Sequence, residues 1–343
     1  MNERAYIAAH GAVVLGGGVV CDGFDPRCPV RVQTHIHVDH MGGFASSKGV
    51  GDIVATAATR DLLIEDLNAD LRYRCNIRSL PYDSPAEVDG RGTSVLLRDA
   101  GHMAGSAQVS VMHSDGFRSG YSGDFAWPLD SVLEEPDVLV LDATYGSPDS
   151  VRHYSQAEAE ERFVQETLER LKSGAVYVHA HRGTLQRAIG LLDDATVMPL
   201  LGSELQRRES LVYQHHGYIQ AGLIDPESAE GRVAIDSGRF VMFIGKGDPR
   251  HDLGPTEHKI ILSAYMAPRG EPFLAYSDYS CRVALSNHAD FNETLAYVES
   301  VKPGEVLTDA SRSPHAEALA AAISLRLGIP ARAASPVTNR SWT

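Results

Sequence analysis

The spacing of apolar residues predicts most of the strands and helices of this sequence, because apolar runs or alternation indicate strands and a repeat of about 3.6 residues indicates helices. The N-terminal stretch is apolar on both sides of Gly16–Gly18 and predicts two strands joined by a turn. Apolar runs at Ser94–Leu97 and Val138–Leu141 each predict a strand that leads into a glycine or a carboxylate. Helical periodicity with a long charged face then predicts a helix at Gln156–Leu171.

Strand patterns and helix patterns continue to alternate in the rest of the chain. Ala175–His179 predicts a strand, and the stretch from His181 predicts a turn into an amphipathic helix. A helix through Asn292 to Val301, a strand at Glu305–Thr308 and a helix at Ala316–Leu327 complete the pattern. Strands that alternate with helices indicate an α/β protein, and 343 residues are enough for about two domains.

The composition is that of an ordinary globular protein with an acidic balance. There are 31 Lys and Arg residues against 45 Asp and Glu residues, which gives a net charge of -14. This charge argues against a basic protein that coats nucleic acid, so any nucleic-acid role must be local to a site. The four cysteines form no CxxC pair and are expected to be reduced thiols. The chain shows neither a signal peptide nor a membrane span, so we expect a cytoplasmic protein, nuclear in a eukaryote, with no membrane partner.

Histidine supplies the strongest chemical signal. The segment His35-Ile-His37-Val-Asp39-His40 contains three imidazoles and a carboxylate within six positions. Because side chains alternate along an extended chain, His35 and His37 point the same way, and the following turn can bring Asp39 and His40 toward them. Such a group is typical of a metal site rather than of isolated core histidines.

Two later positions fit the same site. His102 lies between glycines after the predicted strand at Ser94–Leu97, and Asp124 follows Gly123 after another strand. Glycine lets the backbone come close to a metal, and a carboxylate can bridge two ions. In this order the motifs resemble the metallo-β-lactamase fold hydrolases. The resemblance implies an αββα sandwich, with zinc as the cofactor and manganese or magnesium as alternatives in a second site. It implies one ion held by His35, His37 and His102, a second held by Asp39 and His40, and Asp124 as the bridge.

Two further motifs resemble those of the β-CASP nucleases. Asp142 ends the apolar strand Val138–Leu141, and His288 lies in Ser-Asn-His-Ala-Asp before a helix. Each has an ordinary alternative, as a strand-end cap for Asp142 and a helix N-terminal residue for His288. The resemblance implies a metallo-β-lactamase domain in two parts, residues 1–150 and 258–343, interrupted by an inserted α/β cap at residues 151–257. A cap of this kind predicts a cleft for a polymer.

A third motif is where the sequence departs from the RNA-processing members of that family. Their histidine would fall at Asp309-Ala310, where this chain has none. An apolar residue at this point is similar to the DNA-repair, crosslink-repair type members. Asp309 is a tentative ligand of the second ion. His315 is an alternative, although it more simply begins the helix Ala316–Leu327.

These motifs together predict a nuclease that hydrolyses phosphodiester bonds with the help of metal ions, and DNA repair or processing is the favoured role. Asp39, Asp142 and His288 are the predicted catalytic residues, with Asp142 orienting His288 to protonate the leaving oxygen. Arg182, Lys246 and Arg269 are tentative phosphate contacts. The chain lacks GxxxxGK[ST], so Gly245-Lys-Gly is not a P-loop. A ligase or a helicase is the expected protein partner.

Other functions stay open from the sequence alone. An RNA-processing endonuclease or exonuclease of the same family would share all the metal motifs. A small-molecule metallo-hydrolase would need neither the cap nor Asp142 and His288. A non-cutting subunit that binds nucleic acid would not need intact metal motifs, which this chain has. The pairs His179 with His181 and His215 with His216 lack obvious partner ligands, so we expect them in packing roles.

Overall fold

Two compact units make up the chain. The structure, a computed structural model, describes residues 4–67, 74–246, 248, 257–264 and 270–337. One unit contains the described residues between Met1 and Val151 and between His288 and Thr343, and the other comprises those of Arg152–Asn287. Among the described residues, no helix has both the length and the apolar character needed to cross a bilayer.

The described chain contains runs of strands that are separated by helices. The strands are β1 Tyr6–Ile7, β2 Val13–Gly16, β3 Val19–Cys21, β4 Val30–Val32, β5 Asp52–Ala55, β6 Ile77–Ser79, β7 Ala86–Glu87, β8 Ser94–Asp99, β9 Ala107–Met112, β10 Arg118–Tyr121, β11 Val138–Leu141, β12 Val176–His179, β13 Leu200–Gly202, β14 Val241–Ile244, β15 His258–Leu262, β16 Phe273–Ala275, β17 Ser280–Val283, β18 Glu305–Asp309 and β19 Ala331–Ala334. The helices are α1 Phe44–Ser47, α2 Ala57–Leu67, α3 Gln156–Leu171, α4 Thr184–Asp194, α5 Glu204–His215, α6 Ala229–Ser237, α7 Phe291–Val301 and α8 Ala316–Leu327. The strand pair turning at Gly16–Gly18 and the helices at Gln156–Leu171 and Ala316–Leu327 confirm the predictions from periodicity.

Two sheets form the centre of the first unit. One sheet has the order β1-β2-β3-β4-β5-β6 and the other β19-β18-β11-β10-β9-β8-β7. A single apolar core contains buried side chains from both sheets, among them Leu15, Val32, Val109, Tyr121 and Val140. The apolar faces of the two sheets therefore pack against each other, which removes a large apolar area from water.

Helices cover the outer faces of these sheets. α7 and α8 share a second core with residues of β11 and β18, including Leu139, Leu141, Tyr297 and Val306. On the other sheet, α2 packs against β6. A capping box fixes the start of α7, because Asp290 accepts a hydrogen bond from the Glu293 N–H and the Glu293 carboxylate accepts one from the Asp290 N–H. The mixed α/β fold with αββα layers that the sequence predicts is thus present.

The second unit contains its own sheet, in the order β13-β14-β12-β15-β17-β16. All neighbouring pairs are parallel except β16 with β17 at one edge. α3 to α6 belong to this unit, and Ser155 with Glu158 forms a capping box that begins α3. An alternating β/α pattern is expected to give a parallel sheet of this kind.

The boundaries of the two units differ from those expected from the sequence at one point. The first lies beside Val151, near the expected residue 150, but the second lies after Asn287 rather than after residue 257. β15 pairs with β12, and β17 pairs with β15, so residues 258–283 continue the second sheet. A short apolar strand shows its period in its sequence but not the sheet that it joins, because its partners are distant in sequence.

Candidate metal centre

The candidate ligands lie where strands of the first unit end. The His35–His40 segment follows β4 and ends in a short 3-10 turn at Val38–His40. His102 lies in the loop after β8, where the Ser106 hydroxyl accepts hydrogen bonds from the His102 and Met103 N–H groups at 3.1 Å. Asp124 and Asp142 follow β10 and β11. Strand ends of both sheets therefore present these side chains to one place.

A glycine next to Asp124 makes this approach possible. Gly123 has a φ of 56°, and a Cβ atom there would lie 2.9 Å from the Ala107 carbonyl oxygen. A larger residue would push Asp124 away from the strand end, because L residues rarely adopt this conformation and the space is filled. The glycine beside Asp124 in the sequence is therefore explained by the lack of space for a side chain.

Four of the predicted ligands form one group. The ligand atoms of His35, His37, His102 and Asp124 all lie within 4.8 Å of one another. His102 Nε2 is 3.0 Å from His37 Nδ1, and Asp124 Oδ2 is 3.5 Å from His35 Nε2 and 3.7 Å from His102 Nε2. Three imidazole nitrogens and one carboxylate oxygen are a donor set that suits zinc.

The other predicted ligands lie around the second oxygen of Asp124. His40 Nε2 is 3.1 Å from Asp124 Oδ1 and 3.6 Å from Asp39 Oδ2. His40 is buried, whereas the Asp39 side chain is 63% exposed. Asp124 therefore touches both groups, as a carboxylate that bridges two ions would.

Asp22 is a functional candidate that the sequence reasoning missed. Its Oδ2 lies 2.7 Å from His40 Nδ1 and accepts a hydrogen bond from the Thr34 hydroxyl at 2.6 Å, while Oδ1 accepts from the Thr34 N–H at 2.8 Å. This contact leaves His40 Nε2 directed toward Asp124. The available signal was a carboxylate beside a glycine directly after the apolar strand β3; Asp124 also lies beside a glycine after a strand, although its glycine precedes it.

The residues present fit a bound cation. Within the described part of the chain, the buried His35 Nε2 and His40 Nε2 have no partner in hydrogen-bonding geometry. Burial lowers the pKa of His40, but the charges of Asp124 and Asp22 outweigh it and raise that pKa to about 10. The pKa of Asp124 is held well below its usual range, because His40 and His35 outweigh the opposing effect of burial. The cluster therefore favours positive charge at its centre and can bind a metal ion.

Asp142 and His288 lie beside this cluster. His288 Nε2 is 3.9 Å from Asp124 Oδ2, and His288 Nδ1 is 4.0 Å from Asp142 Oδ2. The Ala289 N–H donates to the Phe125 carbonyl and holds the His288 backbone next to the Asp124 loop. Burial, followed by the charge of Asp124, raises the pKa of Asp142 to about 7, and burial lowers the pKa of His288. Titratable groups with shifted pKa values beside a metal-type cluster are typical of a catalytic site.

The candidates near the C-terminal strand have other partners. Asp309 is buried and accepts hydrogen bonds from Arg312 Nη1 at 2.6 Å and from the Ser311 N–H at 2.7 Å. His315 precedes the first residue of α8, as its Pro-His sequence indicates. Arg312 also contacts the Asp39 carbonyl at 3.4 Å. A protein cation therefore satisfies the Asp309 carboxylate.

The three basic candidates for phosphate contact have different surroundings. Arg182 Nη2 is 2.6 Å from Glu209 Oε1, a buried carboxylate, so the charge of Arg182 is paired within the second unit. Lys246 is exposed and lowers the pKa of His181, after the larger effect of burial. Arg269 lies outside the described residues.

Comparison with known proteins gives relatives rather than a family model, since no family model matches the chain. An uncharacterized protein in the lig 3' region of Acidianus ambivalens is 38% identical over 99 residues, which are 29% of this chain and 70% of that protein. This chain belongs to the same family as that protein. An RNase J-like protein of Methanocaldococcus jannaschii is 27% identical over 169 residues, 44% of this chain and 39% of that protein.

Two relatives have names that refer to DNA. A probable DNA ligase of Opitutus terrae is 23% identical over 287 residues, 80% of this chain and 26% of that protein. The DNA cross-link repair protein pso2/snm1 of Schizosaccharomyces pombe is 30% identical over 124 residues, 34% of this chain and 21% of that protein. The chain thus spans well under half the length of three of these four relatives. Together they support a nuclease of the metallo-β-lactamase/β-CASP family and leave DNA and RNA as alternatives.

Proposed function

We propose that this chain, a member of the metallo-β-lactamase/β-CASP nuclease family, is a metal-dependent phosphodiesterase that cleaves DNA. One observation carries the proposal: the ligand atoms of three histidines and Asp124 lie within 4.8 Å of one another, with His288 Nε2 3.9 Å from the same carboxylate. A cation-binding cluster and a titratable pair at one point are the parts that hydrolysis of a phosphodiester needs.

The ligand assignment follows the two groups around Asp124. His35, His37 and His102 would hold one ion, Asp39 and His40 a second, and Asp124 would bridge them. Imidazole-rich donors favour zinc at the first position, while the second, with an exposed carboxylate, can also take manganese or magnesium. When bound, such ions lower the pKa of water and neutralise charge on the phosphate.

The chain's own residues supply proton transfer beside these ligands. His288, with Asp142 on its other side, would hold a proton and donate it to the leaving oxygen. Asp142, whose Oδ2 lies 4.0 Å from His288 Nδ1, would orient the ring. Lys246 is the exposed candidate for contact with a phosphate of the backbone, and Arg182 and Arg269 remain further proposals.

DNA is favoured over RNA for two reasons. Two relatives are named for DNA ligation and DNA cross-link repair, and Ala310 stands where RNA-processing members have a histidine. The match of 80% of this chain to part of a probable DNA ligase also supports a ligase as the partner in a repair or processing step. RNA cleavage is the second candidate, because another relative is RNase J-like.

The test is a cleavage assay on both nucleic acids. Purified protein, loaded with zinc, manganese or magnesium, is incubated with single-stranded and double-stranded DNA and RNA labelled at either end. We expect cleavage of DNA, and the labelled products distinguish exonuclease from endonuclease action and give the polarity. Cleavage of RNA with all DNA forms intact would replace DNA by RNA as the substrate. If neither is cleaved by metal-loaded protein, the proposed nuclease function fails.

A further inference from the structure

A buried polar pair, Arg31 and Gln33, contacts the backbone of the ligand segment. Arg31 is 2% exposed and Gln33 is fully buried. Arg31 donates from Nε and Nη2 to Gln33 Oε1 at 2.9 and 2.6 Å. These contacts fix the amide of Gln33, so its Nε2 must face away from Arg31.

The Gln33 nitrogen faces three oxygens, two on the backbone of the ligand segment and one on Asp22. Gln33 Nε2 is 2.6 Å from the His35 carbonyl oxygen, 3.1 Å from the His40 carbonyl oxygen and 3.2 Å from Asp22 Oδ1. Asp22 in turn contacts His40 Nδ1. Gln33 therefore contacts both the backbone of His40 and the carboxylate that orients the ring of His40.

Arg31 also contacts carbonyl groups of the ligand segment. Its Nη2 donates to the His40 carbonyl at 3.1 Å, and its Nη1 donates to the Gly42 carbonyl at 2.9 Å and the Ser47 hydroxyl at 3.1 Å. The His40 carbonyl thus accepts from both side chains. A buried guanidinium is costly unless its N–H groups find acceptors, and these oxygens are acceptors here. Arg31 therefore fixes the backbone of this segment between His40 and Gly42.

We propose that Gln33, braced by Arg31, is a positioning residue for the second metal ion. It fixes the His40 carbonyl and the Asp22 carboxylate, and so directs His40 Nε2 toward Asp124 and Asp39. The inference rests on the proposed function to the extent that it assumes a centre with two ions. Contacts of this kind around a ligand histidine change metal affinity by about 10- to 100-fold.

Gln33→Glu is the sharpest variant. It keeps an oxygen for Arg31 but places a second oxygen against the oxygens of His35, His40 and Asp22. Gln108→Glu is the matched control, because Gln108 is also fully buried in the first unit and its Nε2 donates to the Asp99 and Ser131 carbonyls at 2.6 and 3.0 Å. Both variants introduce a buried carboxylate into the first unit, but only the carboxylate of Gln33→Glu faces His40.

The experiment titrates metal-free protein with Mn²⁺ and with Zn²⁺ by calorimetry, and folding is checked by circular dichroism. We expect Gln33→Glu to bind the first ion nearly as the parent does and the second about 10- to 100-fold more weakly, with nuclease activity recovered in excess Mn²⁺. Gln108→Glu is expected to keep both affinities.

Parental affinity for both ions in folded Gln33→Glu would overturn the inference, as would an equal loss in Gln108→Glu. If Gln33→Glu does not fold, the same titration on Gln33→Met decides, since that side chain keeps the volume and removes the amide. A parent that binds fewer than two ions also overturns the inference. A parent that binds two ions but cleaves no nucleic acid contradicts the proposed function and leaves the positioning role to be decided by the variants.

Discussion

The two ends of the candidate site are built in different ways. At the ligand end, His40 Nδ1 lies 2.7 Å from Asp22 Oδ2, and His35 Nδ1 lies 2.9 Å from the Thr34 hydroxyl. At the other end, His288 Nδ1 and Asp142 Oδ2 are 4.0 Å apart, beyond hydrogen-bond distance. Hydrogen-bonding neighbours therefore position the rings of the candidate ligands His35 and His40. At the other end, burial shifts the pKa values of Asp142 and His288.

This difference shows what each end needs in order to work. A ligand must present one ring nitrogen at a fixed place, so its other nitrogen is occupied by a neighbour. A group that gives and takes a proton works best with a pKa near the working pH, and at the other end burial raises the pKa of Asp142 to about 7 and lowers that of His288. Changes at the ligand end should therefore alter metal binding, and changes at the other end should alter rate and pH dependence.

The largest effect is expected from Asp124→Asn, because this carboxylate touches ligands of both groups. We expect loss of ion binding and a fall in hydrolysis of about 10³-fold or more, since ions contribute several kcal/mol to charge stabilisation. Metal analysis and the cleavage assay measure both. Asp290→Asn is the control: Asp290 has the same 5% exposure, and asparagine also caps a helix. Retention of two ions by Asp124→Asn would contradict the bridging role.

The next effect is expected from His288→Ala. We expect kcat to fall by about 10²- to 10⁴-fold, as for loss of a general acid, while metal content stays that of the parent. Rapid-quench cleavage with saturating substrate gives kcat, and metal analysis gives the ion content. His113→Ala serves as control, because His113 is a partly buried histidine of the same unit that contacts Ser119. A loss of ions from His288→Ala would instead indicate that His288 is a metal ligand.

A smaller effect concerns pH and the carboxylate of Asp142. Its pKa is about 7 in the folded chain, above the ordinary value, so between about pH 4 and 7 the native state holds more protons than the unfolded state. This carboxylate therefore makes metal-free protein less stable as pH rises through that window, and Asp142→Asn removes this contribution. Urea unfolding at pH 5 and pH 8 measures it. The exposed Asp149→Asn should keep the parental pH dependence, and an identical pH dependence in Asp142→Asn would exclude a raised pKa.

The smallest effect is expected from Thr144→Val. The Thr144 hydroxyl donates to Asp142 Oδ1 at 2.8 Å and so lowers the pKa of that carboxyl against the effect of burial. Removing one hydrogen bond of about 1 kcal/mol should raise that pKa by less than about one unit and shift the pH profile of kcat upward. Thr144→Ser keeps the hydroxyl and should keep the parental profile. A downward shift in Thr144→Val would contradict the electrostatic account of this end.

Some residues of the candidate site could be predicted from the sequence, and others could not. The candidate ligands at His35–His40, His102 and Asp124 can be predicted from the sequence, because each lies beside a glycine or a turn that directs it locally. Asp22 was missed, although it also lies beside a glycine at a strand end, because its contact with His40 spans 18 residues. The pairing of Arg182 with Glu209 could not be predicted from the sequence either, because packing decides which partner a charged residue contacts.

Local sequence is enough to predict many of the strands and helices and the chemistry of the side chains at their ends. Local steric preferences and the periods of apolar residues decide these features within a few residues. Long-range packing determines that β15 to β17 join the second sheet, that Arg312 satisfies Asp309, and that Arg31 and Gln33 contact His40. Those outcomes depend on which distant groups are buried together, because a buried polar group must find its partner wherever the fold places one.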